Sequence, residues 1–84
     1  MEYRLLIDLE VIEVLDRLPK GIRRRLLEQF CRIRGFTGNY SDYQEYDAVG
    51  RRVEICVVCG WAIHYWNDAA DRHIKILAIT PADK

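Results

Sequence analysis

Residues 51–66 read RRVEICVVCGWAIHYW and contain two hydrophobic runs on either side of a Cys59-Gly60 pair. The first run, Arg51–Val58, is rich in β-branched residues, and the second, Trp61–Trp66, is rich in aromatic residues. Both compositions favour β-strands. Because a two-residue connection that contains glycine is typical of a β-hairpin, the segment predicts two adjacent antiparallel strands.

Two further strands flank this hairpin in the sequence. We predict one at Tyr43–Tyr46 and another at His73–Thr80. The connections at 47–50 and 67–71 are short and contain Asp, Asn or Gly, so each can join neighbouring antiparallel strands. The second half of the chain is therefore predicted to form four consecutive antiparallel strands.

The first half of the chain reads as a short strand followed by two helices. Tyr3–Ile7 fits a buried strand, and Asp8 is a suitable N-cap for a helix over Leu9–Leu18. Pro19 disfavours the helical conformation at the residue before it and can open a second helix. That helix is predicted to end before Gly35, a natural C′ residue. Its apolar stripe consists of Ile22, Leu26, Phe30 and Ile33.

The predicted architecture is a single α+β domain over residues 1–84 with the order βααββββ. A curved, mainly antiparallel sheet carries a two-helix hairpin on one face. Alternation predicts Val53, Ile55 and Val57 in the core, with Glu54 and Cys56 on the opposite face. In the last strand Ile74, Ile76 and Ala78 are expected to share one face. The polar residues expected together on the open face are Glu54, His64, Trp66 and Lys75.

The balance of charge excludes a strongly basic or acidic protein. Thirteen Lys and Arg residues balance thirteen Asp and Glu residues, so no overall field directs the chain to nucleic acid or to an anionic membrane. No apolar run approaches the roughly 20 residues of a transmembrane helix, and the N-terminus has no signal-peptide core. We therefore expect a cytoplasmic protein with no membrane partner.

The three cysteines are expected to be free thiols, because an odd number suits a reducing compartment. The spacing of Cys56, Cys59 and His64 matches the first three ligands of a zinc knuckle. The fourth ligand would be needed at position 69, which is an alanine. His73 is a conceivable substitute, yet Cys56 and Cys59 would face opposite sides of a regular strand. We expect no metal and no other cofactor.

The order of several segments is also informative. They are the two helices broken at 18–20, the Arg-rich second helix, and the segments YQEYD (43–47), GRR (50–52), AIHYW (62–66) and IKILAI (74–79). Together they resemble the RelE/ParE superfamily of toxins from type II toxin–antitoxin systems, over nearly the whole chain. The resemblance implies a small prokaryotic toxin that an antitoxin protein neutralises. It implies either RelE-type cleavage of mRNA on the ribosome or ParE-type inhibition of DNA gyrase.

The nuclease site that the RelE resemblance implies is only partly present. It would have basic residues on the central strands, an arginine just after the glycine that opens the next strand, a basic residue after the last strand and a C-terminal tyrosine. Here Trp61 and Ala62 follow Gly60, and no tyrosine follows the last strand. Metal-independent RNA cleavage needs a proton-transfer group and cations that stabilise the phosphorane. The candidate catalytic residues are Arg52, His64 and Lys84.

Arginines outside this set are candidates for binding phosphate. Arg51, Arg23 and Arg24 could contact RNA or DNA phosphates, and Arg23 and Arg24 could equally contact an acidic antitoxin segment. The alternative is a solvated helix face on which Glu28 pairs with Arg32.

Trp61 and Trp66 are candidate partner-binding residues. They cannot both face the helices if the strand is regular, so one is expected to be exposed and available as an anchor. A third interpretation follows from the missing nuclease residues: a non-toxic module that still binds an antitoxin.

Overall fold

The computed structural model describes residues 3–82. Its elements are β1 (Arg4–Ile7), α1 (Leu9–Asp16), α2 (Lys20–Gly35), β2 (Tyr43–Tyr46), β3 (Arg52–Val58), β4 (Trp61–Asp68) and β5 (His73–Pro81). The strands form one sheet in the order β1-β5-β4-β3-β2. β1 is parallel to β5, and the other neighbours are antiparallel. The predicted fold class and element order are confirmed. Neither helix in the described range has the length and hydrophobicity needed to span a bilayer.

The central hairpin turns at the predicted dipeptide. Val58 pairs with Trp61, and the two residues between them have positive φ angles of 55° at Cys59 and 79° at Gly60. Two successive residues with positive φ match the backbone twist of paired strands. Glycine takes this conformation without steric cost, whereas a cysteine in it is uncommon.

The helices begin where the sequence predicts and end differently. The Asp8 carboxylate accepts a hydrogen bond from the Glu10 backbone N–H at 3.0 Å, which confirms it as the N-cap of α1. α1 ends at Asp16, two residues earlier than expected, and Pro19 lies at the N-cap of α2. The prediction for Gly35 is wrong: α2 includes it, because the Phe36 N–H still donates to the Arg32 carbonyl at 3.0 Å. The first residue after α2 with a positive φ is Gly38, at 92°.

The main core lies between the two helices and one face of the sheet, which we call the helix-side face. Its buried members are Val11, Leu15, Leu26, Phe30, Ile33, Cys56, Ile63, Tyr65, Ile74, Ile76 and Ile79. The opposite side, which we call the far face, carries a smaller buried cluster of Val53, Ile55 and Ala62 with Leu77 and Ala82 against it.

The predicted faces of β3 are reversed. Cys56 belongs to the main core, where the Gln29 amide of α2 donates to its sulfur at 3.4 Å. Val53 and Ile55 lie on the far face, since Ile55 is paired with His64 and Cys56 with Ile63. The reason is that this strand is buried on both sides, with Ile55 0% and Cys56 3% exposed.

A β-bulge in β5 changes the predicted alternation there as well. His64 pairs with Ala78 and Tyr65 with Ile76, so Leu77 is the extra residue. Beyond the bulge the faces exchange. Ile79 therefore packs in the main core, and Ala78, which we expected beside Ile76, does not.

Candidate functional site

The predicted catalytic residues lie on opposite faces of the sheet. Arg52 shares the helix-side face with Glu54, and its Nε is 2.8 Å from a Glu54 carboxylate oxygen. His64 is on the far face, with its Nε2 3.0 Å from the Thr80 hydroxyl. The structure does not bring these two residues together. Lys84, the third, lies outside the described residues.

Glu54 is the centre of a polar network on the helix-side face. Its carboxylate accepts hydrogen bonds from the Gln44 amide at 3.1 Å and from Arg52 at 2.8 Å, and its side chain is 11% exposed. Burial raises the pKa of Glu54, but the hydrogen bonds from Arg52, Ser41 and Gln44 and the charge of Arg52 together hold it below its ordinary value. The group is therefore a stable anion at neutral pH.

This arrangement predicts acid sensitivity. A carboxyl group whose pKa is lowered on folding stabilises the protein above its unfolded pKa of about 4.3, and that stability is lost as the pH falls through the folded pKa. When the pH falls from 6 to 3, the wild type should lose more unfolding free energy than Glu54→Gln. The difference should be up to about 1 kcal/mol, because the Arg52–Glu54 pair is partly screened by solvent. Urea titrations at both pH values measure this. Glu45→Gln, on the exposed strand β2, is the control and should match the wild type.

A polar cleft surrounds this network. It is lined by Ser41, Gln44, Arg52, Glu54, Tyr65 and Asn67, has a volume of about 310 Å³, and is bordered by Trp66. Two of the lining residues also carry a buried side-chain oxygen, the Tyr65 hydroxyl and the Asn67 amide oxygen, that has no hydrogen-bond partner among the described residues. Sequence reasoning missed this cleft. The available signal was the i, i+2 spacing of Arg52 with Glu54 and of Tyr65 with Asn67.

The far face has an apolar centre. Ala62, the second residue after Gly60, is 5% exposed and is surrounded by Val53 and Ile55. Val57, on the same face, is 43% exposed. The described part of this surface therefore offers a phosphate little positive charge at its centre.

Trp66 is covered by cations instead of being open to a partner. The Arg51 guanidinium and the Lys75 ammonium each lie 4.7 Å from its ring centroid. Both cations are paired, Arg51 with Asp47 at 2.8 Å and Lys75 with Asp68 at 3.3 Å. The phosphate-binding role predicted for Arg51 would have to compete with Asp47.

Neither tryptophan is exposed to the extent that we expected. Trp61 is half-buried against the main core, and Trp66 is half-buried as well. The strand does place the two tryptophans on opposite faces. Trp61 is covered by the main core, and Trp66 is covered by Arg51 and Lys75.

The other predicted phosphate ligands lie on the outer face of α2. Arg23 and Arg24 line an open groove of about 570 Å³ with Lys20 and Arg32, over Leu27 and Cys31. Arg32 donates to the Gln29 amide oxygen at 3.3 Å. Within residues 3–82 it forms no ion pair with Glu28, which corrects the expected i, i+4 pair.

The cysteines and the possible metal ligands lie in different parts of the fold. Cys31, Cys56 and Cys59 are all free thiols, and burial raises the pKa of Cys56. One group of possible metal ligands does exist at the β4–β5 turn, where ligand atoms of Asp68, Asp71 and His73 lie within 4.8 Å of one another. Lys75 already neutralises Asp68 there.

The comparisons with known proteins concern the whole fold. No family model matches the chain, and no curated protein is significantly similar to it in sequence. Solved structures do match. A chain of the archaeal RelE–RelB complex from Pyrococcus horikoshii OT3 is 25% identical with a TM-score of 0.80, over 100% of this chain and 99% of that one.

Two further structures extend this match. A chain of the toxin–antitoxin complex RelBE2 from Mycobacterium tuberculosis has a TM-score of 0.81 at 12% identity, over 96% of this chain and 99% of that one. A mutant of E. coli toxin RelE in the free state has a TM-score of 0.73 at 12% identity, over 99% of this chain and 86% of that one. Since that structure is RelE in the free state, the shared fold is that of the toxin. The resemblance to the RelE/ParE superfamily seen in the sequence is thus confirmed, and this chain has the fold of the RelE toxins in these structures.

Proposed function

We propose that this chain acts in the cytoplasm as the toxin component of a type II toxin–antitoxin pair and is bound there by an antitoxin protein. The observation that carries the proposal is the match to the archaeal RelE–RelB complex, at 25% identity over the entire chain. Two of the other matching structures are also toxin–antitoxin complexes.

Exposed apolar side chains support a protein partner. Leu9 is 68% exposed at the start of α1, Ile12 is 42% exposed one turn later, and Leu6 is 42% exposed in the preceding strand. Leu5 and Ile7 pack against the main core, so Leu6 faces the opposite side of the sheet from α1. Large apolar side chains that remain in solvent on a small domain are typical of an interaction surface. They lie where β1 forms an edge of the sheet, so an incoming segment could reach both elements.

Co-expression with the product of the adjacent gene tests this function. We expect the two proteins to co-purify, and we expect Leu9→Glu to weaken the complex at least about tenfold, as loss of an apolar anchor does. Val49→Glu is the matched control, because Val49 is 83% exposed in the β2–β3 turn, far along the sheet from α1. Failure of every neighbouring gene product to bind at micromolar concentration would reject the proposal.

For the mode of action, the incomplete set of implied nuclease residues favours a protein that binds its antitoxin and cleaves mRNA weakly or not at all. Loss of one preorganised donor costs about 10²- to 10³-fold in rate at comparable sites. The arginine after Gly60 is absent, and the described structure holds Arg52 and His64 on opposite faces. RNA cleavage on the ribosome by Arg52, His64 and Lys84 stays the competing prediction.

Induction of the chain alone separates the modes. We expect little growth arrest, intact translated mRNA and intact DNA. Strong arrest with cleaved mRNA would establish a ribosome-dependent nuclease, and Arg52→Ala and His64→Ala would then show whether these residues carry it. Arrest with gyrase-linked DNA breaks and intact mRNA would instead establish the ParE-type mode. Relief of any arrest by the co-expressed neighbour distinguishes toxicity from a general burden of expression.

A further inference from the structure

The two helices of this chain carry opposite charges. α2 contains six cations and one anion, so its formal charge is +5 in a chain whose total is zero. α1 contains three anions, Glu10, Glu13 and Asp16, and no cation. The molecule therefore has a positive pole and a negative pole, and unlike poles on two copies attract each other.

The positive pole has an apolar centre. It is the open groove of about 570 Å³ on the outer face of α2, opposite the stripe that packs in the main core. Leu27, which is 40% exposed, and Cys31, also exposed, lie one helical turn apart in it. Lys20, Arg23 and Arg24 line its N-terminal half. Among the described residues, no carboxylate forms a salt bridge with any of these three cations, so their charge is available to a partner.

The outer face of α1 is chemically complementary to this groove. Leu9, Ile12, Glu13 and Asp16 recur at helical spacing, so they share the face opposite the buried stripe of the helix. Leu9 is 68% exposed and Ile12 is 42% exposed, and both carboxylates are exposed as well. The apolar pair lies toward the N-terminal end of this face, and the carboxylates lie toward its C-terminal end. The groove and this face are thus both apolar at one end and charged, with opposite signs, at the other.

An antiparallel helix pair brings the matching ends together. Ile12 precedes Asp16 by four residues in α1, and Arg23 precedes Leu27 by four residues in α2. Each pair therefore spans about 6 Å along its helix axis. When Ile12 of one copy lies against Leu27 of another and the helices run in opposite directions, Asp16 comes opposite Arg23. This direction also sets the two helix dipoles antiparallel, which is favourable.

We propose that the outer face of α1 in one copy docks in the α2 groove of a second copy, so that the free chain associates head to tail. A symmetric pair of α2 helices is disfavoured, because it would bring the cations of both copies together. Each bound copy still exposes one unused helix face, so association continues beyond the dimer. The contact is smaller than a standard interface, and we expect a dissociation constant on the order of 0.1–1 mM.

The contact uses part of the apolar surface that we assign to the antitoxin, since Leu9 and Ile12 belong to both. A bound antitoxin should therefore keep the chain from associating with itself. That consequence rests on the proposed function, whereas the contact between copies does not.

Sedimentation velocity of the purified full chain, without any partner, tests the proposal. We expect the weight-average sedimentation coefficient to rise as the concentration of the chain increases from micromolar to millimolar. Raising the NaCl concentration from about 0.05 to about 0.5 M should weaken the association at least about threefold, because salt screens the attraction between the two faces.

Two variants separate the two halves of the contact. Leu27→Glu places a carboxylate in the groove and repels α1, and Ile12→Lys places an ammonium group on α1 and repels the groove. Both side chains are exposed in the monomer, so both variants should fold. We expect each variant alone to remain monomeric. An equimolar mixture should associate again, because it supplies the intact α1 face of one variant and the intact groove of the other. Val49→Lys, at a residue that is 83% exposed in the β2–β3 turn, is the control and should associate like the wild type.

Three outcomes would overturn the proposal: a wild-type chain that stays monomeric at millimolar concentration in low salt, undiminished association of either variant alone, or a mixture of the two variants that stays monomeric. The first outcome, together with weaker binding of the adjacent gene product by Leu27→Glu, would assign the groove to that partner instead. None of the three requires the antitoxin. Co-purification with the adjacent gene product therefore tests the proposed function independently of self-association.

Discussion

Replacement of Ile55 by lysine is expected to unfold this domain. Ile55 is 0% exposed in the far-face cluster, opposite His64. The substitution loses about 2 to 3 kcal/mol of apolar burial and places an ammonium group among Val53 and Ala62, which costs several kcal/mol more. Since domains are stable by only about 5–15 kcal/mol, the native state should be largely lost. Circular dichroism and urea unfolding measure the change.

Val57→Lys is the matched control for this experiment. Val57 lies two residues away on the same strand and the same face, but it is 43% exposed. Its lysine can reach solvent, so we expect a change within about 0.5 kcal/mol. If Ile55→Lys were as stable as Val57→Lys, the far-face cluster would not be a buried core, and a basic surface could be restored there at little cost.

Phe30→Ala is expected to destabilise the domain by about 3–5 kcal/mol, the usual cost of a large buried aromatic and of the cavity that it leaves. Phe30 is 0% exposed and lies in the stripe of α2 that packs against the sheet. Chemical denaturation gives the difference in unfolding free energy directly.

Phe36→Ala, at the end of the same helix, provides the comparison. Phe36 is 61% exposed, so the same deletion should cost far less. Equal losses in the two variants would contradict the assignment of the main core to the helix-side face.

The element order was predictable because its signals are local. Asp8, Pro19 and Cys59-Gly60 each fix a helix start or a turn within a few residues, and the structure places them there. The face of β3 was not predictable in this way. Ile55 and Cys56 are both buried, so a pattern of alternation between apolar and polar residues does not say which side meets the helices.

The candidate site depends on register, which the sequence leaves open. Gln44 reaches Glu54 because these residues pair across β2 and β3, and one residue of slip would remove the contact. The bulge at Leu77 likewise arises only when β4 and β5 pair. Arg51, which precedes β3, and Lys75, in β5, both contact the ring of Trp66. These residues are far apart in sequence, so no local pattern predicts the contact.

The parallel pairing of β1 with β5 has a consequence for biosynthesis. Arg4 is aligned with His73, so the two strands are 73 − 4 = 69 residues apart in sequence. The helices also pack against β5, which follows the other described elements in the sequence. Closing so long a loop carries a large entropic cost, whereas the hairpins of β2 to β5 need only local contacts. The sheet is therefore completed only after β5 has left the ribosome, and the edge that β1 forms beside β5 does not exist on shorter nascent chains.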